Sequence, residues 1–189
     1  ESGDSTFYDI AVSHAETTLK NHFRGDMSSY HVVDYDTLTG EVAKKNTHQG
    51  YAHETAWARG QAWGLYGFTM TYRETGDERF LEHAKAIADF ILGHPRLPED
   101  MVPFWDFDDP DIPGAPRDAS AAAVISSALY ELSGFCPGDT YREAADKILH
   151  SLTNHYSLQS DRPVPFLLDH SVGNMPNNDE VDVPIIYAD

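Results

Sequence analysis

Residues 53 to 68, HETAWARGQAWGLYGF, combine a guanidinium, an amide and two indoles with small and apolar residues. The four side chains are Trp57, Arg59, Gln61 and Trp63. Because a buried charge without a partner is costly, Arg59 must meet an anion. That anion is either a carboxylate of the protein or a ligand.

These residue types suit the binding of a sugar acid. Indoles can stack on the carbon face of a sugar ring, and arginine can bind a carboxylate through two parallel hydrogen bonds. The preceding segment adds further polar groups at His31, His48 and Gln49. The alternative is that the tryptophans are core residues and Arg59 pairs with an internal aspartate, and the sequence leaves both interpretations open.

A second polar cluster lies in residues 103 to 120, PFWDFDDPDIPGAPRDAS. It contains Trp105, Asp106, Asp108, Asp109 and Asp118. Two carboxylates that face one glycosidic bond could serve as acid and base, because crowding separates their pKa values. The simpler interpretation is structural: Asp118 precedes ASAAAVI as a helix N-cap, and Asp-Pro steps are typical of turns.

The ten histidines do not have metal-ligand spacing. His48 and His53 are five residues apart, whereas ligands on one helix face are three or four apart. We expect no metal site. Six other histidines fall on predicted outer helices or at their ends and are expected to be surface or capping residues: His14, His22, His83, His94, His150 and His155.

A Gly-Asp pair followed by an aromatic residue and spaced alanines occurs three times, starting at Gly3, Gly76 and Gly138. This recurrence predicts a repeated helical unit in which glycine ends one helix and aspartate begins the next. Helical spacing of apolar residues after the second pair predicts an amphipathic outer helix. The residues of its apolar face are Phe80, Leu81, Ala84, Ile87, Ala88 and Ile91.

Residues 54–72 and 118–132 are apolar on nearly every face, which predicts inner helices buried all round. Alternating inner and outer helices favour an all-α fold, part of an (α/α)6 toroid with about three helical hairpins. The long loops 23–53 and 95–117 precede the inner helices and are candidates for function. The first loop contains SYHVVDYDTLTGEVAK, which predicts a small β-hairpin, and the final VDVPIIYAD reads as the opening of another inner helix.

Composition narrows the function classes. The chain has 189 residues, which fits one domain, and its 13 basic and 31 acidic residues give a net charge of −18. That balance argues against nucleic acid and against anionic membranes as partners. No apolar run approaches the ~18 residues of a membrane span, and the single cysteine, Cys136, forbids an internal disulfide.

Four strings together closely resemble the unsaturated glucuronyl hydrolases of glycoside hydrolase family 88: SYHVVDYDTLTG, THQGYAHETAWARGQAWGLYGFTMTYRETGDERFL, PEDMVPFWDFDDP and RDASAAAVISSALYELS. The resemblance covers essentially the whole chain, and ARGQAWGLYG is its most specific part. It implies an (α/α)6 barrel that acts on oligosaccharides left by polysaccharide lyases, which carry a 4,5-unsaturated uronic acid at the non-reducing end. Unsaturated rhamnogalacturonyl hydrolases share the toroid but usually carry a different string at this helix.

The implied reaction is a hydration: an aspartic acid protonates C4, water adds to C5, and the resulting hemiketal opens. Neither a metal nor another cofactor is implied, the implied partner is an anionic unsaturated oligosaccharide, and the implied location is the bacterial cytoplasm or periplasm. By position in the motifs, six residues correspond to the subsite for the unsaturated uronate: His31, Gln49, Trp57, Arg59, Gln61 and Trp63.

As the resemblance aligns, the family's essential aspartates precede Glu1. We therefore expect no catalytic residue within residues 1–189, and we expect these residues to form a single partial barrel domain, truncated at both ends. Two other classes stay open: a noncatalytic sugar-binding or helical scaffold fragment, and a different toroid enzyme such as a sugar epimerase. The oligomeric state is not determined by the sequence.

Overall fold

The computed structural model describes residues 5–185 as an array of helices with two small β-hairpins. Helix α2 packs against α3 and α4, and α4 packs against α5. The predicted helical hairpins are thus α2–α3 and α4–α5. The elements in chain order are α1 (Ser5–Asn21), β1 (Val32–Tyr35), β2 (Val42–Asn46), α2 (Ala58–Thr75), α3 (Glu78–Gly93), α4 (Ala119–Ser133), α5 (Thr140–His155), β3 (Ser171–Asn174), a 3-10 turn (Met175–Asn177) and β4 (Asp179–Val183).

The Gly-Asp pair at residues 76–77 links α2 to α3 as predicted. Gly76 has a left-handed φ of 67°, and its N–H donates to the carbonyl of Tyr72 at 2.8 Å. Asp77 caps α3 by accepting from the N–H of Arg79 at 2.9 Å. Gly138 also has a left-handed φ, of 88°, just before α5. The first Gly-Asp pair lies outside the described residues.

The core lies between the inner and outer helices. All six residues predicted for the apolar face of α3 are buried. In α4, ten of the fifteen residues are buried, which confirms that helix as buried on most sides. The same prediction is wrong for α2, where Trp63 and Met70 are 42% and 37% exposed. The neighbours α3 and α4 cover only part of the surface of α2, so one face of α2 stays open within residues 5–185.

The β-hairpin predicted in the first long loop is confirmed, with β1 and β2 antiparallel and Val32 opposite Asn46. A second hairpin, β3–β4, was not predicted. Residues 181–183 belong to strand β4, so the prediction that a helix opens there is wrong; residues 186–189 lie outside the described part. The alternating DEVDV of β4 fits a strand with a period of two.

Helix α2 begins at Ala58, four residues later than predicted. The backbone of Trp57 is extended, with φ −65° and ψ 123°, and it forms an antiparallel bridge with Asp106. The two long loops therefore meet at the start of α2. Among the described helices, we find none that combines the length and the apolar character needed to cross a bilayer.

Candidate functional site

The candidate site lies where the loops before α2 and α4 run side by side. The N–H of Ala58 donates to the carbonyl of Trp105 at 3.0 Å, and the N–H of Phe107 donates to the carbonyl of Ala56 at 2.9 Å. Phe104 forms a second bridge with Arg117. These backbone contacts place the beginnings of the two inner helices at the same end of the array.

Arg59 is 2% exposed and meets its anion inside the protein. Its Nη1 lies 3.0 Å from Oδ2 of Asp118, and it also donates to the carbonyl of Val172 at 2.7 Å. Nη2 donates to the carbonyl of Gly173 at 3.0 Å. The interpretation in which Arg59 pairs with an internal aspartate therefore describes this structure. A contact between Arg59 and a substrate carboxylate stays a prediction.

Asp118 has two roles at this site. It is the N-cap of α4, as predicted, and accepts the N–H of Ala121 at 3.1 Å while it pairs with Arg59. Burial raises the pKa of Asp118, whereas Arg59 and the backbone N–H groups of Ala121, Ser120 and Val172 oppose that rise. Asp118 thus ties the first turn of α2 to the first turn of α4.

His31 lies against Trp57, with ring centroids 4.3 Å apart. Its Nδ1 is 3.1 Å from the N–H of His48 and 3.2 Å from the N–H of Gln49. Since backbone N–H groups only donate, Nδ1 must accept, and the proton of the neutral ring is on Nε2. Burial, followed by the charges of His48 and Arg59, lowers the pKa of His31 to about 4. His31 is therefore a neutral imidazole with an Nε2–H donor at neutral pH.

Gln49 and Arg59 share one acceptor. Nε2 of Gln49 donates to the carbonyl of Gly173 at 2.7 Å, the same oxygen that accepts from Arg59. The segment from His48 to Gln49 is held at its other side by His31. Strand β3 thus holds Gln49 and Arg59 together, and His31 is linked to them through the backbone of His48 and Gln49.

Trp57 completes this group. Its side chain is 8% exposed, and the guanidinium carbon of Arg59 is 4.8 Å from its ring centroid. Nε1 of Trp57 is buried and has no hydrogen-bond partner within residues 5–185. A buried indole N–H normally finds an acceptor. Trp57 therefore carries an unused donor at the centre of the site. We call the four residues His31, Gln49, Trp57 and Arg59 the uronate cluster, after the ligand that the family resemblance implies for them.

The other two residues predicted for the subsite, Gln61 and Trp63, stay predictions, and their side chains contact other parts of the protein. Gln61 is fully buried, and its amide is used within the protein: Oε1 accepts the N–H of Ser29 at 2.9 Å and Nε2 donates to the carbonyl of Met27 at 2.6 Å. This geometry does not support a direct contact of Gln61 with a ligand. Trp63 is 42% exposed and packs edge-on against Tyr66, one turn along α2 from the cluster.

The acidic cluster of the second loop braces the backbone. Oδ2 of Asp106 accepts from the N–H of Tyr51 and the hydroxyl of Thr55, both at 2.8 Å. Asp108 accepts the N–H of Ala56 at 3.0 Å, and Asp109 accepts Nε1–H of Trp105. Burial raises the pKa of Asp106. These carboxylates therefore hold the loops in place, in agreement with the structural interpretation of this cluster.

One predicted surface histidine is half-buried. His83 of α3 packs between Phe23 and Phe68, with centroids 4.4 Å from each, and its Nε2 is buried without a partner among the described residues. Burial lowers the pKa of His83 to about 4. The prediction was wrong because the spacing of α3 places position 83 beside the buried Ala84 and Ile87 rather than opposite them.

Strand β3 is a part of the site that the sequence pattern did not predict. Val172 and Gly173 contribute carbonyl groups, which leave no trace in the side-chain pattern. Gly173 alone gives a signal, because a Cβ at this position would clash with the side chain of Glu180. Glycine within a strand often marks such a close approach.

Comparison with known proteins gives a consistent picture. No protein-family model matches the chain. It is 50% identical over 189 residues to an unsaturated glucuronyl hydrolase of Formosa agariphila, covering all of this chain and 47% of that protein. A crystal structure of an unsaturated glucuronyl hydrolase specific for heparin superimposes with a TM-score of 0.93 and 52% identity, covering 96% of this chain and 50% of the other. The chain belongs to the unsaturated glucuronyl hydrolase family.

The chain spans about half the length of the curated relatives it matches. A variant of the unsaturated glucuronyl hydrolase of Streptococcus agalactiae, solved in complex with dGlcA-GalNAc6S, superimposes with a TM-score of 0.83 and 36% identity, over 96% of this chain and 49% of the other. The fold of this chain is accordingly part of an (α/α)6 barrel, in agreement with the sequence prediction.

Proposed function

We propose that this chain provides the uronate-binding part of an enzyme that hydrates the C4–C5 double bond of unsaturated uronic acids at the non-reducing end of lyase-generated oligosaccharides. The observation that carries the proposal is the uronate cluster itself. His31 and Arg59 both contact the indole of Trp57, and Gln49 shares an acceptor with Arg59. The 50% identity to a protein of that activity over the whole chain supports the assignment.

In this proposal the cluster binds the sugar acid mainly through donors. Nε1 of Trp57 has no protein partner within residues 5–185, and Nε2 of His31 carries the proton of a neutral ring. The indole already packs against His31 and Arg59, so hydrogen bonding by Nε1 is favoured over stacking of the sugar on this ring. Each donor would bind an oxygen of the uronate; for Nε1 of Trp57, which is buried, this requires the side chains that cover it to move when the ligand binds.

Arg59 supplies positive charge next to these donors. Its guanidinium is fixed by Asp118 and by the carbonyl groups of Val172 and Gly173, which keeps it in one orientation. We propose that the substrate carboxylate lies beside this guanidinium. With a net charge of −18 the chain offers no long-range attraction for an anionic sugar, so recognition must be local.

The proposed reaction adds one water molecule. A proton is added to C4, the hydroxide of water is added to C5, and the resulting hemiketal opens with cleavage of the bond to the leaving sugar. The proton donor is not assigned to any residue of this chain. Residues 1–189 are proposed to act as one part of a single barrel domain, in which they hold the uronate while the proton is transferred.

The test uses the protein that contains this chain and measures the loss of ultraviolet absorbance of the C4–C5 double bond. Disaccharides derived from heparin, chondroitin, hyaluronan and rhamnogalacturonan form the panel. The 52% identity to a heparin-specific enzyme favours the heparin-derived disaccharide as the best substrate. Absence of absorbance loss with all four substrates, at enzyme concentrations far above those needed for turnover, would refute the proposal.

A further inference from the structure

The segment from His170 to Gly173 docks against the uronate cluster and the start of α4. The carbonyl of His170 accepts the N–H of Ala119 at 3.0 Å. The hydroxyl of Ser171 accepts the N–H of Ser120 at 3.1 Å. The first N–H groups of a helix have no partner within the helix, so His170 and Ser171 satisfy two of them in α4.

The next two residues hold the uronate cluster. The carbonyl of Val172 accepts from Arg59 at 2.7 Å, and that of Gly173 accepts from Arg59 and Gln49. The position of β3 therefore sets where the guanidinium and the amide lie. A shift of this strand would move both side chains together.

The hairpin that carries β3 contains a bulge at Asp182. Val181 lies opposite Val172 and Val183 lies opposite Ser171, which leaves Asp182 as the extra residue. Its φ of 56° is left-handed, an uncommon conformation for a residue other than glycine. Bulges beside functional sites redirect a side chain, and here the carboxylate of Asp182 is directed to His170.

His170 and Asp182 form a side-chain pair across the hairpin. Nδ1 of His170 is 2.7 Å from Oδ1 of Asp182, and His170 also has a left-handed φ, of 59°. Two such conformations persist only where the surrounding contacts hold them. The pair therefore links Asp182, the bulged residue, to His170, whose backbone carbonyl accepts the N–H of Ala119 at the start of α4.

Contacts from this pair extend to the loop before α4. The ring of Tyr156 lies edge-on to His170 at 5.9 Å, and its hydroxyl donates to Asp100 at 2.8 Å. Asp100 in turn pairs with Arg117 at 2.9 Å. His170 and Asp182 line a cleft of about 450 Å³ together with Tyr156 and Arg117.

We propose that His170 and Asp182 are positioning residues for the uronate cluster: their pairing fixes the bulged hairpin so that the carbonyl groups of Val172 and Gly173 hold Arg59 and Gln49 in the binding arrangement. This inference rests on the proposed function. Neither residue touches the substrate in this account. Loss of the pair should therefore weaken binding more than it slows the chemical step.

The test compares three variants of the protein that contains this chain. His170→Asn and Asp182→Gly both tolerate a left-handed backbone and both remove the pair. Asp182→Asn keeps an acceptor oxygen for His170 and serves as the conservative rescue. Since the side chains are 48% and 54% exposed, the expected rise in KM is about three- to fivefold for the first two variants and less than about twofold for Asp182→Asn.

In the same experiment kcat should change by less than about twofold. The double variant His170→Asn/Asp182→Gly should be no worse than either single variant, because both remove the same pair. His155→Asn is the matched control, since His155 lines the same cleft and, among the described residues, forms no hydrogen bond with His170 or Asp182; its KM should equal that of the wild type. Unchanged KM in the single variants, or additive effects in the double variant, would overturn the inference.

A second measurement keeps this inference separate from the proposed function. Amide hydrogen exchange at Ala119 and Ser120 reports docking of β3 without any substrate, and it should accelerate in His170→Asn and Asp182→Gly. A wild-type protein that is inactive on every unsaturated disaccharide would remove the proposed function. Unchanged exchange at these two amides would remove the positioning role by itself.

Discussion

Nη1 of Arg59 lies 3.0 Å from Oδ2 of Asp118, in a buried ion pair that joins the first turns of α2 and α4. The two side chains are 3% and 0% exposed. Removing one partner of such a pair leaves an uncompensated buried charge, which is strongly destabilising. The pair therefore contributes to the integrity of the site before any ligand is considered.

Arg59→Lys should affect both stability and binding. Lysine keeps the charge but cannot form the planar contacts with Asp118, Val172 and Gly173. We expect the free energy of unfolding to fall by about 2–4 kcal/mol. We also expect kcat/KM per folded molecule to fall by at least about tenfold.

Urea denaturation and kinetics on one preparation measure both quantities. Arg79→Lys is the control, because Arg79 is 62% exposed. This variant should change neither the free energy of unfolding nor kcat/KM by much. A loss of stability with unchanged kcat/KM per folded molecule would restrict Arg59 to the ion pair and contradict the proposed carboxylate contact.

Gln61→Leu should lower stability and spare activity. The amide of Gln61 satisfies the N–H of Ser29 and the carbonyl of Met27, and both would be left buried and unpaired. The expected loss in the free energy of unfolding is about 2–4 kcal/mol. Because the oxygen and the nitrogen of the Gln61 amide both have partners within the protein, kcat/KM per folded molecule should stay unchanged, whereas a residue of the subsite would alter it.

Gln159→Leu provides the comparison for this variant, because Gln159 is exposed and donates only to the carbonyl of Ser157. Its free energy of unfolding should stay within about 0.5 kcal/mol of the wild type. A selective loss of kcat/KM in Gln61→Leu would return Gln61 to the substrate subsite.

His31→Ala should lower kcat/KM by about ten- to hundredfold, because the N–H groups of His48 and Gln49 lose their acceptor and the substrate loses a donor. With a pKa of about 4, His31 is neutral throughout the range in which the enzyme is assayed. Wild type and variant should therefore have pH profiles of the same shape above about pH 5.

His150→Ala, which replaces an exposed histidine of α5, is expected to match the wild type. An inflection of kcat/KM near the ordinary histidine pKa of 6.5, present in the wild type and absent in His31→Ala, would show that His31 titrates while it functions.

His83 should make stability depend on pH. Its pKa is about 4 in the folded chain and 6.5 when unperturbed, so below pH 6.5 the unfolded chain takes up a proton that the folded chain resists. The contribution of the neutral side chain is complete above pH 6.5 and is lost as the pH falls toward 4. Allowing for partial exposure, we expect His83 to account for a loss of about 1–2 kcal/mol.

Urea denaturation of His83→Phe at several pH values tests this dependence. Removing the imidazole should flatten the decline in stability between pH 6.5 and 4, while His155→Gln, at the exposed end of α5, should leave it unchanged. An equally steep decline in His83→Phe would mean that His83 is not a source of the pH dependence.

Local patterns were sufficient for the helices and for one hairpin. The period of α3 identified all six of its buried apolar residues, and Gly76 and Asp77 marked the turn before it. The alternation around Thr39 and Gly40 likewise predicted β1 and β2. These features depend on neighbours within a few residues, which a periodic pattern records.

Long-range partners could not be predicted in this way. Asp118 is 59 residues from Arg59, and the carbonyl groups of Val172 and Gly173 are more than 110 residues away. Backbone acceptors have no side-chain signature, so the contribution of strand β3 to the site was not predicted. The start of α2 was predicted too early for the same reason, because a bridge to Asp106 keeps Trp57 extended.

Trp57→Phe tests whether the uronate cluster binds the unsaturated sugar acid. The change keeps an aromatic ring and removes Nε1–H, which has no protein partner within residues 5–185. Trp105→Phe is the matched control, because Nε1 of Trp105 donates to the buried Asp109. Both variants are assayed on the best unsaturated disaccharide, and kcat/KM is expressed per folded molecule.

We expect Trp57→Phe to lower kcat/KM by about tenfold and the free energy of unfolding by only about 1 kcal/mol. We expect the reverse for Trp105→Phe: an unchanged kcat/KM per folded molecule and a loss of stability of about 2–3 kcal/mol, since Asp109 loses its indole donor. An unchanged kcat/KM in Trp57→Phe, measured with a folded and stable variant, would contradict the claim that Trp57 donates to the substrate at the centre of this cluster.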